Sequence, residues 1–303
     1  MQREASYFIL GDLPAQARTI VDVNGPDALR FLQGLLTADV AAIEAGEARP
    51  AALLTVKGKI ISEVIVLRHG EGFALAIPRD VAASVLADLE RHVIMDDVTL
   101  TRHDERALAL VWPAFSGAGE GVRAYACAHP APGTLVAGET AALAAALGGA
   151  TRVDAAAFER HRIASGVPAW RREIEDDTFP PEVGFVAAVS YEKGCFRGQE
   201  PLARIHARGQ VNRVMVRVRA EAAPPEAAGL AAEGRPDAGR WTSWSAGEAG
   251  VDGLAVVHRS VAVPGTRLRA GEIGVEVVSG PVGDDPGVKG RREAAPMALG
   301  RRG

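Results

Sequence analysis

Short strand-like segments, separated by turns rich in glycine and proline, follow one another along most of this 303-residue chain. Residues 18–23, 60–67 and 73–77 are apolar runs with β-branched side chains, a composition typical of buried strands. Helical patterns lie between them without the regular alternation of a parallel βαβ sheet. The 34 glycines and 18 prolines are a larger share than the roughly 12% of an average protein, which indicates many turns. The sequence therefore predicts an α+β fold with mixed and antiparallel sheets.

Helical spacing and turn residues mark the elements between the strands. A helix is predicted after Pro26, another after Pro78, and a third from an Asp154 N-cap to Gly166. Residues 57–59, Lys-Gly-Lys, predict a hairpin turn. The apolar stripes of the first two helices are predicted to be Leu29, Leu32 and Leu36, and Val81, Val85, Leu89 and Val93.

The composition changes after residue 208. Residues 221–239 are rich in Ala, Pro, Gly and Glu and are predicted to be a long loop. Short strands are predicted at 210–220, 241–245, 253–258, 265–269 and 274–278. The chain is therefore divided into residues 1–208, a small C-terminal β-barrel at 209–280, and a disordered tail at 281–303.

Charge and cysteine content exclude several classes of protein. The net charge is −4, which argues against nucleic acid as a direct partner. The two cysteines, Cys127 and Cys195, are too few for a disulfide framework or a four-cysteine metal site, and no bound metal is expected. The sequence shows neither a signal peptide nor an apolar run long enough for a membrane span. A cytoplasmic protein without a membrane partner is expected.

The densest chemical signal is the stretch Lys-Gly-Cys-Phe-Arg-Gly-Gln-Glu at residues 193–200. If it is extended, Lys193, Cys195 and Arg197 project to one side, and the two cations favour the thiolate form of the cysteine. The glycines on either side permit positive φ or a close backbone approach. Cys195 is the candidate reactive group, with Lys193 beside it. Spacing alone leaves open the alternative that Cys195 is a small buried apolar residue.

The same eight residues resemble the signature of the YgfZ-type folate-binding proteins, Lys-Gly-Cys-(Tyr/Phe)-x-Gly-Gln-Glu, at every defined position. The resemblance covers about residues 5–280 of the chain. Further segments are similar to the family in the same order, namely residues 23–28, 31–37, 58–62, 162–168, 179–182 and 239–243. The resemblance implies the fold of the glycine-cleavage T-protein, a folate-binding region with a central hole followed by a C-terminal β-barrel.

The resemblance also implies a function. YgfZ-type proteins bind tetrahydrofolate or a derivative and support the assembly or repair of certain iron–sulfur enzymes, with effects on tRNA thiomethylation. The expected partners are folate and iron–sulfur client proteins met transiently, and a monomer is expected. The family carries no established turnover, so enzymatic activity is left open.

A folate-dependent transferase is the alternative function on the same fold. The T-protein carries paired aspartates after its Gly-Gly turn, whereas the matching residues here are Ser62 and Glu63. In a tetrahydrofolate-dependent aminomethyl or methyl transferase or demethylase, Glu63 would be the general base. A third hypothesis is an interaction protein whose folate site is vestigial.

A reduced folate offers N–H donors on its pterin ring, an apolar middle and carboxylates on its tail, so carboxylates, aromatic rings and cations would recognise it. Seven residues are candidates for these contacts: the carboxylates Glu182 and Glu63, the cations Lys57, Lys59 and Arg204, and the aromatics Trp170 and Phe196. For each one the alternative is an ordinary structural role, as a surface acid, a solvated cation or a core aromatic.

Overall fold

The computed structural model describes residues 5–113, 115, 119–208, 211–224, 228–247 and 250–283. Its strands in chain order are β1 (Ser6–Ile9), β2 (Arg18–Asn24), β3 (Ala48–Leu54), β4 (Ile60–His69), β5 (Gly72–Pro78), β6 (Thr99–His103), β7 (Arg106–Trp112), β8 (Val122–Cys127), β9 (Gly133–Glu139), β10 (Thr151–Arg152), β11 (Arg213–Ala220), β12 (Gly229–Ala232), β13 (Arg235–Gly247), β14 (Gly250–His258), β15 (Arg267–Ala270) and β16 (Ile273–Val277). The helices are α1 (Ala28–Leu35), α2 (Ala82–Glu90), α3 (Thr140–Ala146), α4 (Ala155–Ser165) and α5 (Gln199–Arg208).

The first sheet is antiparallel, with strand order β3-β4-β5-β2-β6, and α1 and α2 pack on one of its faces. The predicted hairpin is confirmed, because β3 and β4 are joined by a tight turn at residues 55–59. The predicted stripe of α1 is wrong at Leu29, which is 39% exposed. Leu32 and Leu36 are buried as predicted, and Phe31 and Leu35 complete the buried face in place of Leu29, because the helix is rotated to bury its aromatic residue.

The second sheet has the order β10-β1-β7-β9-β8 and carries α3. Leu110 of β7 and Leu135 of β9 share one buried cluster with Ile65 and Ala76 of the first sheet. The two sheets therefore face each other across a common core. Strand β9 was not predicted from the sequence. The Asp154 cap of α4 is confirmed, since its side chain accepts a hydrogen bond of 2.8 Å from the backbone of Ala157.

Six strands form a closed barrel, in the order β11-β14-β13-β12-β15-β16. The prediction of a long loop at 221–239 is wrong, because β12 and the start of β13 fall within it. Closing the barrel gives these weak strand formers partners for their backbone, which outweighs their low propensity. At Gly239 an added Cβ would lie 2.3 Å from the carbonyl oxygen of Val256, so only glycine fits this approach.

A buried polar cluster attaches the barrel to the rest of the chain. The carboxylate of Glu173 accepts hydrogen bonds from the hydroxyls of Thr242 (2.5 Å) and Ser243 (2.6 Å) on β13. Its other oxygen accepts from the guanidinium of Arg162 on α4 at 3.1 Å. Because Glu173 and Arg162 are both inaccessible to solvent, their charges are compensated by each other and by these hydroxyls.

The predicted fold class is confirmed, with mixed and antiparallel sheets, helices and a C-terminal barrel. Most of the predicted tail lies outside the described residues, which end at 283. In the part of the chain that the structure describes, none of the helices is long and apolar enough to span a membrane.

Candidate functional site

Residues 193–198 of the signature lie in a loop, and the last two residues of the signature begin α5; residues 188–198 are called the Cys loop below. The loop is not a strand, so the predicted projection of three side chains to one side is wrong. Lys193 is buried, Cys195 is exposed and Arg197 is half-buried. The physical reason is that the loop turns over the end of α1 and directs the two cations to partners there.

The ammonium group of Lys193 is enclosed at the carboxyl end of α1. It donates hydrogen bonds to the carbonyl oxygens of Gln33 (2.7 Å), Leu36 (2.6 Å) and Ala38 (2.7 Å). A cation at this position satisfies carbonyls that have no partner within the helix and opposes the negative end of the helix dipole. Burial lowers the pKa of Lys193 to about 8.

Backbone hydrogen bonds hold the remainder of the Cys loop against the same helix end. The backbone N–H of Arg197 donates to Gly34 at 3.0 Å, and that of Ser190 donates to Thr37 at 2.9 Å. The hydroxyl of Thr37 in turn donates to the carbonyl of Ala188 at 2.5 Å. Both ends of the loop are therefore fixed to the segment 34–37.

The guanidinium of Arg197 extends the contact to the second helix of the sheet. It donates to the carboxylate of Asp88 on α2 at 2.7 Å, and both side chains are largely shielded from solvent. Salt bridges of this kind hold a loop in position more effectively than fully exposed pairs. Lys193 and Arg197 are thus both engaged with helix partners.

The two glycines of the signature have different roles. Gly198 has φ +78°, and an added Cβ would lie 2.5 Å from the carbonyl oxygen of Thr55 in the β3–β4 turn. Gly58 in the same turn also has positive φ and faces the side chain of Pro201 at 3.0 Å from the ideal Cβ position. Gly194 has neither constraint, and a methyl group there would meet nothing within 4 Å. The hairpin turn and the Cys loop therefore pack closely at Gly198.

The structure places the two cysteines in different surroundings. Cys195 is exposed on the fixed loop, four residues before α5 begins. Cys127 lies in β8, packs against the core between the sheets, and has its pKa raised to about 12 by burial. Within the described ranges, no three His, Cys, Asp or Glu side chains are grouped so that they could hold a metal ion.

Glu63 lies in a sealed cluster between the two sheets. Its side chain is inaccessible to solvent, and it accepts hydrogen bonds from the guanidinium of Arg18 and, at 2.9 Å, from the imidazole of His129. Burial alone would raise the pKa of the Glu63 carboxyl, but Arg18 and His129 outweigh burial and hold it below its ordinary value. Two further polar groups in this region, the Nε2 of Gln16 and the Nε of Arg18, are buried without a hydrogen-bond partner.

The other folate candidates each have a protein partner or an exposed position. Trp170 is buried and donates from its indole nitrogen to Asp80 at 3.0 Å, and Phe196 is a core residue beneath the Lys193 ammonium. Glu182 accepts from the backbone of Phe179 at 3.0 Å and caps a short turn.

The three cations lie near the surface. Lys59 donates to a backbone carbonyl at 2.7 Å and lies over the ring of Phe179, Lys57 is exposed, and Arg204 pairs with Glu200 on the exposed side of α5. None of the seven lines the three cavities found among the described residues, and their part in folate binding stays a prediction.

Sequence reasoning missed the residues that organise the site. Gln33 and Thr37 lie in one of the segments that resemble the family, yet nothing in that segment indicates contact with Lys193 or Ala188. Arg18 and His129 are the partners of Glu63, and the sequence around them gives no indication of that contact. Each pairing joins residues that are distant in sequence, and no pattern along the chain specifies it.

Comparison with known proteins identifies the family. Residues 15–113 match the GCVT N-terminal domain family. The tRNA-modifying protein YgfZ of Sodalis glossinidius is 32% identical over 251 residues, which cover 74% of this chain and 76% of that protein. The human mitochondrial iron-sulfur cluster assembly factor IBA57 is 29% identical over 228 residues, 67% of this chain and 64% of that protein.

A solved structure shows the same fold. The glycine cleavage system aminomethyltransferase T from Bartonella henselae superposes with a TM-score of 0.77, at 21% identity, and covers 93% of this chain and 87% of its own. That likeness establishes the T-protein-like fold, and the identity to YgfZ establishes the relationship within it. The chain belongs to the YgfZ family.

Proposed function

We propose that this protein is an accessory factor in the assembly or repair of iron–sulfur enzymes, that it presents the Cys195 thiol to its clients, and that it binds a reduced folate. The observation that carries the proposal is the exposed Cys195 on a loop fixed by Lys193, Arg197 and Gly198. A rigid support for an exposed group is expected of a functional site, because it lowers the entropy lost on contact. The relatives named for tRNA modification and for iron–sulfur cluster assembly support the same function.

The chemistry of a single thiol determines what the contact with a client can be. Cysteine thiolates are the ordinary protein ligands of iron–sulfur clusters, and a cluster needs several of them. Cys195 supplies one ligand, and Cys127 is held in the core. The remaining ligands therefore come from the client, and the contact is transient. This count supports an accessory role rather than a stably bound cluster.

A folate-dependent transferase is a weaker reading of the same structure. It needs a base that can reach the substrate and accept a proton. Glu63 is the general base that the transferase hypothesis requires, but it is inaccessible to solvent and already accepts hydrogen bonds from Arg18 and His129. Because these partners favour its ionised form, the carboxylate is a poor proton acceptor at neutral pH.

The thiol half of the proposal is tested by complementation. Cys195→Ala and Cys195→Ser are expressed in cells that lack the native protein, and an iron–sulfur enzyme activity and the thiomethylated fraction of tRNA are measured. Cys127→Ser is the matched control, since it removes the other sulfur. We expect loss of function with both Cys195 variants, at unchanged protein level, and retention with Cys127→Ser. Full rescue by Cys195→Ala would show that the thiol is dispensable.

The folate half is tested by binding. The purified protein is titrated with a reduced folate while its tryptophan fluorescence and the heat of mixing are followed. Saturable binding in the micromolar range is expected. If no saturation occurs at millimolar ligand, this half of the proposal is wrong, whatever the result of the complementation.

A further inference from the structure

A cavity of about 490 Å³ lies at the layer between the two sheets. Strands β2, β4, β5, β7, β8 and β9 line it, and Ala142 of α3 adds to its wall. Glu63, Arg18 and His129 do not line it, so this cavity is separate from the sealed cluster. A volume of this size is within the range of cavities that hold small molecules.

The floor of the cavity is apolar. Four of its lining residues belong to the core that the two sheets share, namely Ile20, Leu67, Ala74 and Ala137. Tyr125 of β8 adds its ring to this floor and is only 2% exposed. A ligand that reaches the floor can therefore bury an apolar group there.

Charged side chains form a rim above this floor. Strands β2, β7, β8 and β9 each place one of them at the cavity, namely Asp22, Arg106, Arg123 and Glu139. Each lies two positions from a residue of the shared core, and side chains two positions apart point to the same face of a strand. The rim therefore carries two positive and two negative charges above an apolar floor.

Two of these four residues are paired with each other. Asp22 accepts hydrogen bonds from the guanidinium of Arg106 at 2.9 and 3.0 Å, and from the imidazole of His103 at 3.0 Å. These bonds compensate the charge of the Asp22 carboxylate and fix the Arg106 guanidinium beside it. Neither group is therefore left to bind a ligand of opposite charge.

The other two rim residues, Arg123 and Glu139, form no salt bridge with any described residue. Arg123 lies opposite Ala137 in the register of β8 and β9, two positions from Glu139. Arg106 lies opposite Glu139 in the register of β7 and β9, but its guanidinium is directed to Asp22. The cavity thus offers one guanidinium and one carboxylate that are held apart from each other.

Hydrogen-bonding groups stand beside the Arg123 guanidinium. Burial raises the pKa of the Tyr125 hydroxyl, and the charge of Arg123 opposes that rise, so the two groups are neighbours. Burial lowers the pKa of His69 on β4, and the charge of Arg123 adds to this effect. The Nδ1 of His69 is buried without a hydrogen-bond partner among the described residues. A carboxylate that binds the guanidinium can also accept a hydrogen bond from the Tyr125 hydroxyl.

We propose that this cavity binds an α-amino acid with a large apolar side chain. The ligand's carboxylate binds Arg123 and Tyr125, its ammonium group binds Glu139, and its side chain lies on the apolar floor. An anion would be repelled by Glu139 and a cation by Arg123, whereas a zwitterion compensates both charges. The inference depends neither on Cys195 nor on folate, and it adds a ligand to those of the proposed function.

Calorimetry of the full-length protein tests both charges of the ligand. L-phenylalanine and L-leucine are the probes, and two analogues of the first have nearly the same size: 3-phenylpropionate lacks the ammonium group, and phenethylamine lacks the carboxylate. We expect saturable binding of the amino acids and about tenfold weaker binding of each analogue, which corresponds to about 1.4 kcal/mol. Equal affinity for L-phenylalanine and either analogue would overturn the inference. Absence of saturable binding of both amino acids at millimolar concentration would overturn it as well.

Variants connect the binding to this cavity. Arg123→Gln and Glu139→Gln each remove one charge at similar size, and each is expected to weaken the binding of L-phenylalanine about tenfold. Arg91→Gln and Glu90→Gln are the matched controls, because these exposed residues at the end of α2 do not line the cavity. Thermal melting establishes that each variant is folded. Wild-type affinity in either cavity variant, or an equal loss in the controls, would overturn the inference.

A last titration separates this ligand from folate. The binding of L-phenylalanine is measured again in the presence of a reduced folate at millimolar concentration. Unchanged affinity is expected, because the cavity is proposed as a site of its own. Competition between the two ligands would place the amino acid in the folate site and overturn this inference, while the folate half of the proposed function would stand.

Discussion

The ammonium nitrogen of Lys193 lies 2.6 Å from the carbonyl oxygen of Leu36, a residue 157 positions earlier in the chain. This bond, with those to Gln33 and Ala38, makes the lysine of the signature an anchor between the Cys loop and the end of α1. The role of Lys193 is therefore to hold the loop that carries Cys195 in place. A loop that is held in this way keeps its thiol exposed without losing order.

Replacement of the anchor tests this role. Lys193→Met keeps most of the side-chain volume but leaves three carbonyl oxygens without their donor, so the free energy of unfolding is expected to fall by about 1–3 kcal/mol. Urea denaturation measures it, and faster hydrogen exchange in the Cys loop is expected alongside. Lys57→Met on the exposed hairpin turn is the control and is expected to change little. Equal stability of Lys193→Met and wild type would contradict the anchoring role.

The lowered pKa of Lys193 predicts that the stability of the protein depends on pH. Its pKa is about 8 in the folded protein, against an ordinary value of 10.5. Between these two values the unfolded chain binds a proton that the folded chain does not, so stability rises with pH across that interval. The difference in unfolding free energy between the wild type and Lys193→Met is therefore expected to grow from pH 8 to pH 10.5. A difference that is flat or declines over this range would show that burial does not lower this pKa.

The glycines near the Cys loop give a matched series. Gly198→Ala places a Cβ 2.5 Å from the carbonyl of Thr55 at a positive φ, and we expect a loss of more than about 1 kcal/mol. Gly194→Ala meets no neighbour and is expected to be tolerated. Gly34→Ala, inside α1 with open space around it, is expected to stabilise the protein by about 0.5–1 kcal/mol. Thermal melting ranks the three, and a Gly198→Ala as stable as Gly194→Ala would refute the close packing.

The buried ion pair of Glu63 and Arg18 predicts that one substitution lowers the free energy of unfolding strongly. Glu63→Gln leaves the guanidinium of Arg18 buried without its counter-ion, and the unfolding free energy is expected to fall by about 3–5 kcal/mol. Asp12→Ala breaks the exposed pair with Arg152 and is expected to have almost no effect. Chemical denaturation of both variants makes the comparison. If Glu63→Gln were as mild as Asp12→Ala, the cluster would not be a buried ion pair.

Thiol titration separates the two cysteines. At neutral pH one thiol per chain is expected to react rapidly with a water-soluble disulfide reagent, and Cys195→Ser is expected to abolish that fast phase. Cys127, packed in the core with its pKa raised to about 12, is expected to react only on unfolding. Two fast thiols in the native wild type, or a fast phase that survives in Cys195→Ser, would contradict the assigned exposures.

Much of the fold could be predicted because it is encoded locally. The hairpin at residues 55–59 follows from a turn between two apolar runs, and the cap of α4 follows from Asp154. Strand β12 could not be predicted, because its four residues, Gly229–Ala232, have low strand propensity and are held by pairing with distant strands. The exposure of Leu29 and the burial of Lys193 likewise depend on what packs against α1.

The sequence by itself determined the class of fold, the family through its Lys-Gly-Cys-Phe-Arg-Gly-Gln-Glu signature, and Cys195 as the group to examine. Only the tertiary structure decided that Cys195 is exposed, that Lys193 is an anchor, and that Glu63 is sealed between two sheets. The physical reason is that exposure, charge pairing and pKa depend on neighbours brought together by folding. Composition and spacing along the chain specify which side chains are present, but not which of them meet.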